Sequence, residues 1–269
     1  MEDVLLANGS ENSEAAKAAI YHLKSGGRRI RARLALHASL SLGLSSPDAL
    51  ALAAVVEFLH NASLVHDDLQ DDDLLRHGVS TVGAVFGTNV AICTGDLLLS
   101  GAYSALANFS QAKLLAPLIA LVHIATAAAI RGQCAGFPQL KVAPRNMDQY
   151  HQVAIAKSGA LFSLPLQLAF VGAGKKQWLA QARLAAEEFA VGYQIMDDLQ
   201  DVYDDGPMGM NAVTILKDCG YGDNAPVHAR EMGIHHLQNA VGLAENLPNG
   251  AGDLLRDLAI SLCQGRLTY

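Results

Sequence analysis

Aromatic residues make up only 6% of this 269-residue chain, a single tryptophan among them, whereas alanine and leucine dominate. Alanine and leucine lose little side-chain freedom in a helix, so the mixture favours helix over strand. Basic residues are also scarce: 19 Lys and Arg stand against 26 Asp and Glu, a net charge of -7 with a pI near 5.7. That balance excludes nucleic acid as a partner, because its phosphates need a basic surface. A polyanionic ligand would have to be held by metal ions or by a local basic cluster. The four cysteines, Cys93, Cys134, Cys219 and Cys263, lie far apart, with neither metal-binding spacing nor a disulfide framework. This predicts a reducing compartment and thiols placed in the core. The first residues, MEDVLLANGSENSEAAK, lack a basic leader and a long apolar stretch, so the expected location is cytoplasmic. Leu114 to Ile130 is almost wholly apolar but is interrupted by Pro117 and His123 and falls short of the roughly 20 residues a bilayer requires. It predicts a buried central helix and no transmembrane segment.

What the chain does have is apolar length, with 51% hydrophobic residues, enough for one large core. Periodic apolar stretches run over 14–23, 29–42, 48–75, 83–107, 112–134, 147–172, 177–204, 224–245 and 251–264. Short breaks such as SLGLSSPD, RHGVST, GFPQLKVAPRN and DDGPMGMN separate them. No strand alternation, internal repeat or low-complexity linker intervenes. The expectation is an all-α fold, a single domain over 1–269 built as a many-helix bundle around a central cavity.

Two acidic clusters stand out. In HNASLVHDDLQDDDLLRHG (60–78), Asp67, Asp68 and Asp71 have DDxxD spacing, and Asp72 and Asp73 follow. Asp67 and Asp71 fall one helical turn apart on one face. Aspartate is a mediocre helix former, and like charges four apart cost about 0.2–0.5 kcal/mol per pair, so the arrangement opposes folding unless something neutralises it. The spacing recurs in GYQIMDDLQDVYDD as Asp197, Asp198 and Asp201. If the two helices face each other, the carboxylates converge at one end of the bundle. Mg²⁺ suits such a site, since it takes one or two carboxylates per ion and completes its shell with water and phosphate oxygens. A lone cluster of this kind is as readily a solvated acidic face. The repetition, the apolar flanks, and Arg76 and Lys157 nearby in the sequence favour a metal and diphosphate site.

From Leu23 onward the chain resembles the trans-isoprenyl diphosphate synthases, or polyprenyl synthetases, at five places in the family's order. GGRRIRARL (26–34) resembles its GGKRxRP element, EFLHNASLVHDDLQD (57–71) its first aspartate-rich motif and FGTNVAICTGDLLL (86–99) the segment that follows. KSGALF (157–162) is similar to its K(T/S)xxLF element and YQIMDDLQD (193–201) to its second aspartate-rich motif. The resemblance implies an isoprenoid-synthase-type fold, usually dimeric. It implies that Asp67, Asp71 and Asp197 hold Mg²⁺ on an allylic diphosphate, with Asp68, Asp198 and Asp201 supporting them. Arg76 and Lys157 would hold the same diphosphate, and Gln194 would line the reacting end of the cavity. Gly27, Arg28, Arg31 and His60 would bind isopentenyl diphosphate. Taken singly, Arg28 and Arg31 also read as surface charges at a helix start, and His60 as a core histidine.

Two positions depart from the family pattern. His77 stands where a second arginine is expected after Arg76, and a neutral imidazole cannot replace a guanidinium fork. Ala212 stands where a lysine is usual. The expected activity is condensation of an allylic prenyl diphosphate with isopentenyl diphosphate. Two other readings are a terpene-synthase-like relative acting on one allylic diphosphate and a non-catalytic partner subunit. The resemblance further implies that a growing chain descends along the helix of the first motif, with Ala62 and Ser63, one turn before Asp67, at its floor. Both are small where short-chain members commonly carry an aromatic, which implies a product of about twenty carbons or longer, since a helical turn of about 5.4 Å is close to the length of one isoprene unit.

Overall fold

The computed structural model describes residues 13–135, 146–200 and 211–265. Twelve α-helices occur among them: α1 Glu14–Lys24, α2 Ile30–Ser41, α3 Ser46–Gln70, α4 Val82–Phe86, α5 Thr88–Leu106, α6 Ala112–Ala135, α7 Met147–Ala154, α8 Ala160–Gly172, α9 Leu179–Asp198, α10 Ala212–Leu216, α11 Ala225–Glu245 and α12 Asp253–Cys263. A π-helical turn, Ile155–Gly159, joins α7 to α8 without a break. Two strands of two residues each, β1 Leu75–Arg76 and β2 Val79–Ser80, pair antiparallel after α3.

Local sequence sets these boundaries. Ser13 Oγ accepts from the Ala16 amide and starts α1. Ser45 Oγ accepts from the Asp48 amide and starts α3, with Pro47 in the first turn, where its missing N–H costs nothing. At 25 residues, α3 is about 37 Å long and runs the height of the bundle. The expected stretch 83–107 divides into α4 and α5 at Gly87. The hairpin after α3 turns on His77 and Gly78, both at positive φ (50° and 78°), as a two-residue loop with the right-handed strand twist requires.

α3 packs chiefly on α5 and α2, and α9 on α11 and α8. Two large apolar clusters result. One joins α1, α3, α5 and part of α6 through Leu52, Phe58, Leu98 and Leu118; the other joins α2, α8, α9, α11 and α12 through Leu34, Phe170, Phe189 and Leu255. α8 supplies both: Leu164 and Leu168 face the first cluster, and Phe162, Leu166 and Phe170 the second. Each such side chain removed from water contributes about 1.5–3 kcal/mol, which makes α8 the centre of the bundle.

That position was expected of 112–134. Instead α6 buries one stripe, Leu118, Val122 and Ala125, and leaves Ile119, Ile124 and Ile130 45%, 61% and 56% exposed. Hydropathy does not distinguish a helix surrounded by neighbours from one apolar on its outer face. Three helical stretches, Ser46–Gln70, Ala112–Cys134 and Met147–Gly172, are long and apolar enough to cross a membrane; the first and third are mostly buried within the bundle and the second is mostly uncovered. The thiols also depart from the expected core placement, since Cys93 and Cys219 are exposed.

Candidate active site

Both aspartate clusters sit at the C-terminal ends of their helices. α3 stops at Gln70 with Asp71 as its cap, Asp72 turns into the left-handed region (φ 56°), and α9 ends on Asp197 and Asp198. The expected helices 48–75 and 177–204 are thus shorter than their apolar patterns. A helix C-terminus carries about half a negative charge, so carboxylates there are repelled by the backbone as well as by one another. Burial pushes the Asp67 carboxyl up; the charge of Lys157 lowers it, and Asp71 and Asp68 raise it again. Asp71, Asp72 and Asp73 are exposed. Such a site calls for positive charge and offers oxygen donors alone.

Among the described residues no three His, Cys, Asp or Glu side chains form a ready metal shell. This fits Mg²⁺, which is held by one or two carboxylates and otherwise by water and phosphate, better than a metal that needs a protein cage. Asp67 and Asp71 close α3 and Asp197 closes α9, and these are the carboxylates that the resemblance assigns to the ion. Asp201 lies outside the described residues.

Asp68 and Asp198 have different surroundings. Asp68 is 3% exposed, and its Oδ1 accepts from Arg76 Nε at 2.7 Å and Nη2 at 2.6 Å. Asp198 is equally buried: Oδ1 accepts from Gln194 Nε2 (2.9 Å), and Oδ2 from Tyr150 Oη (2.8 Å) and the Ala212 amide (2.7 Å). Asn211 Nδ2 donates to the Asp198 carbonyl at 2.9 Å, while Asn211 Oδ1 caps α10. The second aspartate of each motif is therefore tied to protein donors.

The π turn lies between the two clusters. Lys157 on it acts on Asp67, and Ser158 Oγ donates to Gln194 Oε1 at 3.3 Å. π turns concentrate at functional sites because they shift the helical register of the side chains they carry. Gly132 of α6 permits this placement, since a Cβ there would collide with the Lys157 amide nitrogen.

Two turns before Asp67 on the same face of α3, His60 Nε2 lies 3.2 Å from Arg31 Nη1, and the Arg31 guanidinium stacks over the Phe162 ring at 4.0 Å. Burial lowers Arg31 to about 10, which leaves it charged at neutral pH. Burial also holds His60 well below the usual range, and Arg31 and Arg76 add to the effect, so His60 is neutral. Gly27 and Arg28 are exposed on the preceding loop. His77 is at the exposed tip of the hairpin, and Ala212 is wholly buried. Ala62 is 5% exposed within the first core cluster, whereas Ser63 is half-buried and donates to the His60 carbonyl at 2.7 Å.

The structure therefore gathers Asp67, Arg76 and Lys157 around one helix end and Gln194 with Asp198 around the other, and pairs Arg31 with His60. Sequence reading missed Tyr150, Ser158 and Asn211. Tyr150 bonds across 48 positions and leaves no local spacing to find.

A family model for polyprenyl synthetase matches residues 12–214, which contain all five motif elements. A short chain isoprenyl diphosphate synthase from Methanothermobacter thermautotrophicus is 30% identical over 190 residues, 70% of this chain and 58% of its own. A geranylgeranyl diphosphate synthase from Cereibacter sphaeroides is 34% identical over 268 residues, covering 96% of this chain and 85% of its own. For several other relatives the match spans little more than half their length, 54% and 55% in two cases. The structure of a geranylgeranyl pyrophosphate synthetase from Geoglobus acetivorans superimposes with a TM-score of 0.85 at 23% identity, over 98% of this chain and 95% of that one, and shares its all-helical fold. On the family match and the near full-length similarity to the Cereibacter protein, the chain belongs to the polyprenyl synthetase family.

Proposed function

We propose that this protein is a Mg²⁺-dependent trans-prenyltransferase that condenses an allylic prenyl diphosphate with isopentenyl diphosphate, acting as one domain. The observation that carries the reading is the placement of both aspartate clusters at the negative ends of α3 and α9, with Lys157 acting on Asp67 between them. Bound Mg²⁺ would supply Lewis-acid stabilisation of the departing diphosphate. Arg76 and Lys157 hold that diphosphate as its carbon–oxygen bond breaks and the electron pair leaves with oxygen. Arg28, Arg31 and His60, with the Gly27 backbone, hold the second diphosphate. Its double bond attacks the allylic carbon, and the proton lost from the neighbouring carbon passes to the released diphosphate. Gln194 borders the reacting end, and apolar side chains of α3, α5 and α8 keep water from the cation. Cytoplasmic action accords with this reading.

A cyclising activity on a single allylic diphosphate is the second reading. It is favoured by His77 at an exposed turn and by the buried Ala212, neither of which offers a cation to a second substrate. Product analysis by mass spectrometry with Mg²⁺ and each allylic diphosphate, with and without isopentenyl diphosphate, separates the two. A longer linear diphosphate formed only with isopentenyl diphosphate supports condensation. A hydrocarbon formed without it overturns condensation.

The small side chains of Ala62 and Ser63, one turn before Asp67 on α3, support a product of about twenty carbons or longer. Ala62→Phe should keep turnover and shorten the product by at least one isoprene unit. An unchanged product from a folded, active variant places the floor elsewhere.

The uncovered apolar face of α6, with Ile119, Ile124 and Ile130, supports a homodimer joined through this helix. Sedimentation at micromolar concentration should give twice the chain mass, and Ile124→Glu should shift it toward monomer. A wild-type chain that remains monomeric contradicts the dimer.

A further inference from the structure

Two buried polar atoms without a hydrogen-bond partner among the described residues are complementary. His22 Nε2 can donate, and Asp68 Oδ2, as part of a carboxylate, can only accept. Both side chains are almost fully enclosed, His22 at 6% and Asp68 at 3% exposure. They belong to one neighbourhood: the charges acting most on His22 are those of Asp68 and then Arg76, and Asn61 is the side chain within hydrogen-bonding reach of the ring. Burial is the larger influence and keeps the imidazole below its usual range, so at neutral pH the ring is uncharged and carries one N–H. A buried orphan donor and a buried orphan acceptor each cost about 1–3 kcal/mol, and a link between them removes both penalties. His22 lies on α1, outside the five motif elements, and no step described above uses it.

We propose that His22 is a positioning residue for diphosphate binding: its Nε2–H reaches Asp68 Oδ2 through one ordered water and fixes the carboxylate that holds Arg76. The geometry fits this role because Arg76 engages only Oδ1, through Nε and Nη2. Without a second restraint the carboxylate can rotate about its terminal bond and carry the guanidinium with it. With Oδ2 anchored to α1, Asp68 is held from both sides, and Arg76 is presented in one orientation. The inference rests on the reading that Arg76 serves a diphosphate.

The test uses inorganic diphosphate with Mg²⁺ as the probe, titrated calorimetrically into the full chain. His22→Leu should weaken binding by about 5- to 20-fold, the loss expected for one buried hydrogen bond. His22→Gln, which retains a donor, should recover most of it. In an Arg76→Ala background His22→Leu should add little, because residues acting through one group are not additive. Unchanged binding in folded His22→Leu, or an equal loss with and without Arg76, overturns the proposal. A high-resolution crystal structure gives a second measurement independent of any variant: one ordered water within about 3.2 Å of both Nε2 and Oδ2 supports the link, and its absence overturns it. If the wild-type chain binds no diphosphate, it is the functional reading that fails, not the His22 contact.

Discussion

Asp67→Ala and Asp197→Ala should each lower turnover of an allylic diphosphate by at least about a hundredfold, and excess chelator should abolish it. Removing one preorganised charge-stabilising group from an active site costs about 10²–10³ in rate, and a carboxylate that holds a metal removes more than its own interaction. The protein's own cations near Asp67 are few: Lys157 acts on it, and Arg76 is engaged by Asp68. In a chain of net charge -7 the remaining positive charge has to come from ions. Stability should move the other way. Asp67 is half-buried beside Asp71 and Asp68 at a negative helix end, so Asp67→Ala relieves repulsion and should raise the urea midpoint slightly, by a few tenths of a kcal/mol. Full activity in chelator, or an Asp67→Ala variant as active as the wild type, would sink the metal site.

The helices were legible because each carries an apolar stripe of sufficient length, and the motifs because their spacing is local. Their ends were less so. The pattern carries α3 to 75, yet the helix stops at 70, where four aspartates within residues 68–73 combine poor propensity with an unfavourable dipole. α10 was missed because five residues are too few for periodicity to register; its existence depends on the Asn211 cap and the Asp198 carboxylate, a contact made from 14 positions away. Which long apolar helix lies at the centre was also hidden. α6 and α8 have similar composition, and only their neighbours decide that α8 is enclosed and α6 is not.

Roles within the aspartate pairs were the least legible feature, since spacing treats Asp197 and Asp198 alike. Their environments differ, and stability should separate them. Asp198→Ala would remove the acceptor of the Tyr150 hydroxyl, the Ala212 amide and one Gln194 donor, the first two of them in fully buried residues. Each buried group left without a partner costs about 1–3 kcal/mol, so the variant should lose about 3–5 kcal/mol and unfold at a lower urea midpoint. Tyr150→Phe removes one donor from a carboxylate that keeps two others, and should cost only about 1–2 kcal/mol. The signs therefore oppose each other: truncating Asp67 leaves stability level or slightly raised, whereas truncating Asp198 lowers it sharply. If Asp198→Ala proved as stable as the wild type, with only its Mg²⁺ dependence altered, the carboxylate would be a metal ligand and not the buried anchor between α7, α9 and α10.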